Sequence, residues 1–149
     1  MCDISTKSDF KTKTIYKVCI KLNGRYFACF SRAEIKIGKI PRRTNEMIVA
    51  RDMKEAEIES SMNLNMFSYI YGGWGNDNPI IENKTTGFAT LNDAKKLLTK
   101  IETPLLCILK LKIGGEIYHG TGKGITDDNN LWKAITYAGS EILSFEEIM

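Results

Sequence analysis

Histidine is nearly absent from this chain: His119 is the only one. A single imidazole gives little support to a hydrolase triad, and no nucleophile elbow surrounds a serine or cysteine. The four cysteines, Cys2, Cys19, Cys29 and Cys107, contain no Cys-x-x-Cys pair. With one histidine to help, that scatter argues against a zinc site and for reduced, mostly buried thiols. No apolar run approaches the roughly 20 residues of a membrane span. The longest is Pro104 to Leu109, which Lys110 interrupts. Met1 to Lys13 is polar, with no hydrophobic stretch that could act as a secretion signal. The expectation is a cytoplasmic protein with no membrane partner.

What is present points to an ordinary globular chain. The 149 residues are 43% hydrophobic and 26% charged, enough for one domain over 1–149 to bury a core without disulfide, metal or cofactor. Residues 1–13 are expected to be a flexible leader. The net charge of +3 is unevenly spread. Up to Arg43 eleven basic residues face three acidic ones, a balance of +8 against −5 for the remainder. Lys36, Lys39, Arg42 and Arg43 could therefore meet nucleic acid. A basic hairpin laid beside acidic elements explains the same split, and no RNA-binding aromatic motif accompanies the charges.

The clearest local signal is Asn23-Gly24, the dipeptide of a type I′ turn, between Ile15–Leu22 and Arg25–Phe30. A two-residue loop sets Leu22 against Arg25, Ile20 against Phe27 and Val18 against Cys29. Tyr16, Val18, Ile20, Leu22, Phe27 and Cys29 then share the buried face, and Cys19 lies opposite beside Ala28. A short extended piece is expected over Ala33 to Ile37. Helical spacing suggests a helix near 46–60. Thr90 followed by Asp93, with Leu91, Ala94, Leu97, Leu98 and Ile101 as one stripe, predicts a capped helix over 91–101. Leu105 to Ile113 reads as the most buried strand, and Gly114-Gly115 as a turn that sends the chain back through Glu116 to His119. Leu131 to Tyr137 is expected to be helical and Glu141 to Ile148 a closing strand. The fold class expected is α+β, a single domain whose mainly antiparallel sheet is built from two hairpins, about 15–30 and 105–119, covered by two helices.

That second hairpin would set Lys110 beside His119 and leave Gly120-Thr121-Gly122-Lys123-Gly124 as a glycine-rich exit loop. Glycine lets backbone amides approach a phosphate, and lysine adds charge. Lys110, Lys112, His119, Gly120, Thr121, Gly122 and Lys123 are therefore the candidate anion contacts. The loop matches neither the Walker pattern nor the dinucleotide fingerprint. Tyr71 and Trp74, in a cluster of aromatics bounded by Gly72, Gly73 and Gly75, form a second candidate surface.

Two resemblances bear on function. Tyr118-His119-Gly120-Thr121 resembles the His-Gly-Thr/Ser strand with which ADP-ribosyltransferases hold NAD. The resemblance implies a site of His119, Tyr137 and Glu146 or Glu147, although these residues follow one another too closely for that family's split sheet. Over most of the chain, the Tyr-Lys-Val strand, Ser31 to Gly38, Thr86 to Ala94, the Leu-Lys-Ile-Gly-Gly-Glu-Ile pair and the terminal Glu-Ile-Leu-Ser-Phe-Glu-Glu look like small proteins of bacteriophages and mobile elements. That resemblance implies a binder in the host cytoplasm, acting on an anionic small molecule or a host protein. The expected function is a non-catalytic binding protein that sequesters an anionic or nucleotide ligand or inhibits a host protein. An NAD-using transferase is the first alternative and a nucleic-acid binder the second.

Overall fold

A computed structural model describes residues 2–28, 34–40, 83–100, 106–125 and 131–149. Their strands are β1 (Cys2–Lys7), β2 (Lys13–Leu22), β3 (Arg25–Ala28), β4 (Gly38–Lys39), β5 (Thr85–Phe88), β6 (Leu106–Ile125) and β7 (Leu131–Glu147); the helix α1 (Leu91–Lys100) lies between β5 and β6. The sheet runs β1-β6-β2-β5-β7-β4, with β3 on β2, and every pairing is antiparallel. Because β6 also pairs with β7 over most of its length, the path β6-β2-β5-β7 returns to β6 and the sheet closes into a small barrel. The closing seam is narrow. It consists of the Tyr16↔Phe88 pair, reinforced by Lys17 Nζ donating to the Thr86 carbonyl at 2.7 Å.

The expected α+β arrangement of two hairpins under two helices is therefore corrected to a mostly antiparallel barrel, with one short helix among the described residues. The helix expected near 46–60 lies outside them. The main cause is Gly114-Gly115. Instead of turning, the chain continues as one strand to Ile125 and takes β7 as its partner. The glycines mark a bulge: Gly114 pairs with Glu141 but Ile117 with Gly139, so β6 carries one extra residue, and Gly115 has φ +72. Such a residue in the left-handed region is what a glycine bulge requires. One step earlier, Lys112 pairs with Ser144 and Ile113 with Ile142, which leaves Leu143 as the extra residue on β7. The two bulges bend the long hairpin so that β2 and β5 can bridge its halves. Leu131 to Tyr137, expected to be helical, is strand because it pairs with β6 along its whole length and with β5 from Thr136 onward. The polar N-terminus, expected to be a flexible leader, contributes β1 along the far half of β6.

Other expectations hold. The Asn-Gly hairpin has the predicted register, Leu22↔Arg25, Ile20↔Phe27 and Cys19↔Ala28, with Asn23 and Gly24 both at positive φ. Thr90 caps α1: its hydroxyl accepts from the Asp93 amide at 3.3 Å and donates to the Asp93 carboxylate at 2.8 Å. Ala94 and Leu97 on α1 pack with Val18, Ile20, Phe27, Leu106 and Ile108 on the outside of the barrel wall. The opposite face of the same strands is just as dry. Ile15, Leu109, Leu111, Ile113, Ile117 and Ile142 fill the interior, each 1% exposed or less. Burying side chains of this size stabilises the fold by about 1.5–3 kcal/mol apiece. Gly87 and Gly139 give the interior room, since a Cβ at either would lie within 2.9 Å of Ile15 or Ile113. Among the described residues no helix is long and apolar enough to cross a membrane.

Candidate functional site

His119, two residues beyond Ile117 on β6, shares its face and therefore points to the interior side of the sheet, at an end of the barrel where the aliphatic filling gives way to polar and aromatic groups. Tyr137 stands directly opposite it on β7, with the two ring centroids 6.1 Å apart. Ser8, just beyond β1, anchors its backbone by donating from its amide to the Ile117 carbonyl at 2.8 Å. Its hydroxyl reaches His119 Nδ1 at 2.5 Å. Among the described residues nothing bonds to Nε2.

One residue from the β1–β2 connection and one from the start of β2 complete the cluster. Phe10 is half exposed and meets Tyr137 edge-on at 6.2 Å between centroids. Lys13, the first residue of β2, holds its ammonium 4.7 Å from the Phe10 centroid and 4.8 Å from the Tyr137 centroid. An ammonium between two ring faces gains about 0.5–2 kcal/mol by attraction to the ring quadrupoles. Serine, phenylalanine, lysine, histidine and tyrosine from three strands and the β1–β2 connection thus meet at one mouth, every side chain but Phe10 half-buried.

The candidate anion contacts fare unevenly. Only His119 is in this cluster. Lys110 and Lys112 are exposed on the other face of β6, opposite Glu146 and Ser144, because the turn that would have brought Lys110 to His119 does not form. Gly120, Thr121 and Gly122 are in mid-strand, paired with Ile4, Asp3 and Cys2 of β1 on one edge and with Thr136, Ile135 and Ala134 of β7 on the other. Lys123 pairs with Lys133. The amides expected to line a loop are thus engaged in ladders. Tyr71 and Trp74 lie outside the described residues.

The transferase-like set is split. His119 and Tyr137 are neighbours, but Glu146 stands opposite Lys110 and Glu147 opposite Leu109, at the other end of the hairpin. Glu147 is engaged there by Lys21 at 2.8 Å, a contact that raises the lysine's pKa. No family model, curated protein or solved structure matches this chain. The residues therefore have to speak for themselves. Of the residues expected to meet nucleic acid, Lys36 approaches Glu34 at 3.7 Å, a carboxylate that Arg25 also engages at 2.5 and 2.8 Å. Arg42 and Arg43 lie outside the described residues. Lys39 is exposed on β4.

A second lysine approaches the His119 strand from its other face. Lys84, almost fully buried, places its ammonium 5.0 Å from the Tyr118 ring centroid and 3.9 Å from the Glu116 carboxylate. Lys84 is itself almost fully buried, whereas Lys13 is half-buried. Among the described residues no group of three His, Cys, Asp or Glu side chains is gathered closely enough to hold a metal.

Proposed function

We propose that this chain is a non-catalytic binding protein that captures a small anionic ligand of the nucleotide class at the mouth formed by Ser8, Phe10, Lys13, His119 and Tyr137. The observation that carries the reading is the Lys13 ammonium, held between two aromatic rings beside a half-buried imidazole. When the Ser8 hydroxyl donates to Nδ1, the proton of the neutral ring sits on Nε2, free to donate to a phosphate oxygen. Lys13 supplies the countercharge, and the half-exposed face of Phe10 offers a stacking surface for a base. Capture rather than turnover is favoured because Glu146 and Glu147, the carboxylates a transferase-like site would use, stand opposite Lys110 and Leu109 at the far end of the β6–β7 ladder.

A thermal-shift panel of mononucleotides, cyclic dinucleotides and inorganic pyrophosphate tests the reading. A ligand that binds only the folded form at about 100 times its Kd stabilises by about 2.7 kcal/mol. For a chain of this length that is a rise in Tm of roughly 5–10 °C. The rise should disappear in Lys13→Ala and His119→Ala. A panel that leaves Tm unmoved refutes small-ligand capture and turns attention to a protein partner.

A further inference from the structure

We propose that Cys19 and Cys107 form a redox-modifiable dithiol, which a hydroperoxide converts into one intramolecular disulfide tying β2 to β6. The warrant is register. Cys19 stands directly opposite Cys107, and the pairs on either side, Val18↔Ile108 and Ile20↔Leu106, continue the ladder without a shift. Directly opposed residues of an antiparallel pair point to the same face, with Cα atoms about 4.5 or 5.5 Å apart. Both spacings lie inside the roughly 4.4–6.8 Å that a disulfide spans. The two thiols are reduced, belong to the same interior cluster, and are 0% and 4% exposed. They take no part in the ligand mouth, which begins six positions back along β2 at Lys13.

The chemistry balances with hydrogen peroxide as oxidant. One sulfur attacks a peroxide oxygen and breaks the O–O bond, giving a sulfenic acid and one water. The second sulfur then attacks the sulfenic sulfur and expels its oxygen as a second water. Two thiols and one peroxide become one disulfide and two waters. Burial, and after it the negative charge of Glu147, pushes the Cys107 thiol up to about 12, with Lys21 opposing. Little thiolate is present at neutral pH, so the reaction is slow and waits on opening of this end of the ladder. Once formed, the bond closes a loop over most of the chain and restrains the unfolded state.

The test uses the full chain carrying Cys2→Ser and Cys29→Ser, so that Cys19 and Cys107 are the only thiols. It is exposed to hydrogen peroxide under native conditions and followed by intact mass, peptide mapping and circular dichroism. The expected result is loss of two hydrogens, a Cys19–Cys107 linked peptide, an unchanged spectrum, and full reversal by dithiothreitol. Addition of oxygen without a link, or no change in mass, overturns the proposal. If the double variant fails to fold, mapping of the oxidised wild-type chain decides. A Cys19–Cys107 link supports the pair, whereas no link, or a link from either residue to Cys2 or Cys29, overturns it.

Discussion

Replacing Gly139 by alanine asks the barrel a direct question. Gly139 is absent from the glycines at positive φ, so alanine fits its backbone and only space is at issue. A Cβ there would lie 2.7 Å from Ile113 Cβ and 2.8 Å from Ile113 Cδ1. Ordinary carbon contacts are about 3.5–4.0 Å, so something must move by about 1 Å. Ile113 is fully buried and cannot swing into solvent. Overpacking of this kind costs about 1–3 kcal/mol, and the lost freedom of the unfolded glycine returns only about 0.4–1 kcal/mol. The net expectation is a loss of about 1–2 kcal/mol, read as a lower urea midpoint and a Tm lower by roughly 2–8 °C. The control is Ile113→Ala, which removes the Cδ1 and Cγ1 contacts and keeps Cβ, but leaves beside it a space into which the wall can relax. In that background Gly139→Ala should cost less, with a coupling of about 0.5–2 kcal/mol. A neutral Gly139→Ala, or an equal cost in both backgrounds, would mean that the bent hairpin does not fold its wall onto Gly139.

Three smaller expectations accompany it. Thr90→Ala removes the cap of α1 and should cost about 1 kcal/mol in chemical denaturation, while Thr90→Ser keeps most of it. Cys107 is an acid whose folded pKa, about 12, is raised above its ordinary value of 9.0, so its contribution is intact below pH 9 and is lost as pH climbs through the folded value. Stability should therefore fall between pH 9 and 12 with a component of at most about 1.4 kcal/mol per unit, and Cys107→Val should flatten that slope in the same titration. Ser8→Ala removes the partner of His119 Nδ1, so the His119 ring resonances in NMR should move while far-UV dichroism stays the same; unmoved resonances would mean that the Ser8 bond is not made in solution.

The sequence was most readable where a signal is local. Asn23-Gly24 dictates a two-residue turn, and that turn dictates every cross-strand pair of the first hairpin. Thr90 and Asp93 mark the helix start by chemistry that needs no distant partner. Gly114-Gly115 was different, because two glycines between apolar runs serve a turn and a bulge equally well. The choice fell to β7, whose ladder β6 gains by running straight on. The same partner turns Leu131–Tyr137 into strand. His119 could be singled out from the sequence as the centre of the site, and Tyr137 was visible only as part of a different chemistry. Ser8, Phe10 and Lys13 were missed because the β1–β2 connection and the start of β2 deliver them from more than a hundred residues away, out of a stretch that reads as polar and flexible. A lone phenylalanine in that stretch, with Lys13 on the same strand face as buried Ile15, was the available hint.

Because the chain has a single histidine, its imidazole gives one unambiguous pair of proton resonances. Following that pair by NMR while adding a nucleotide that raises Tm, in the wild type and in Lys13→Ala, is the most direct test of the binding account. The account predicts a saturable shift of the His119 signals, together with the Tyr137 ring, that vanishes or weakens at least tenfold without the lysine. Nucleotide binding that leaves the His119 signals where they were would put the ligand elsewhere and contradict it.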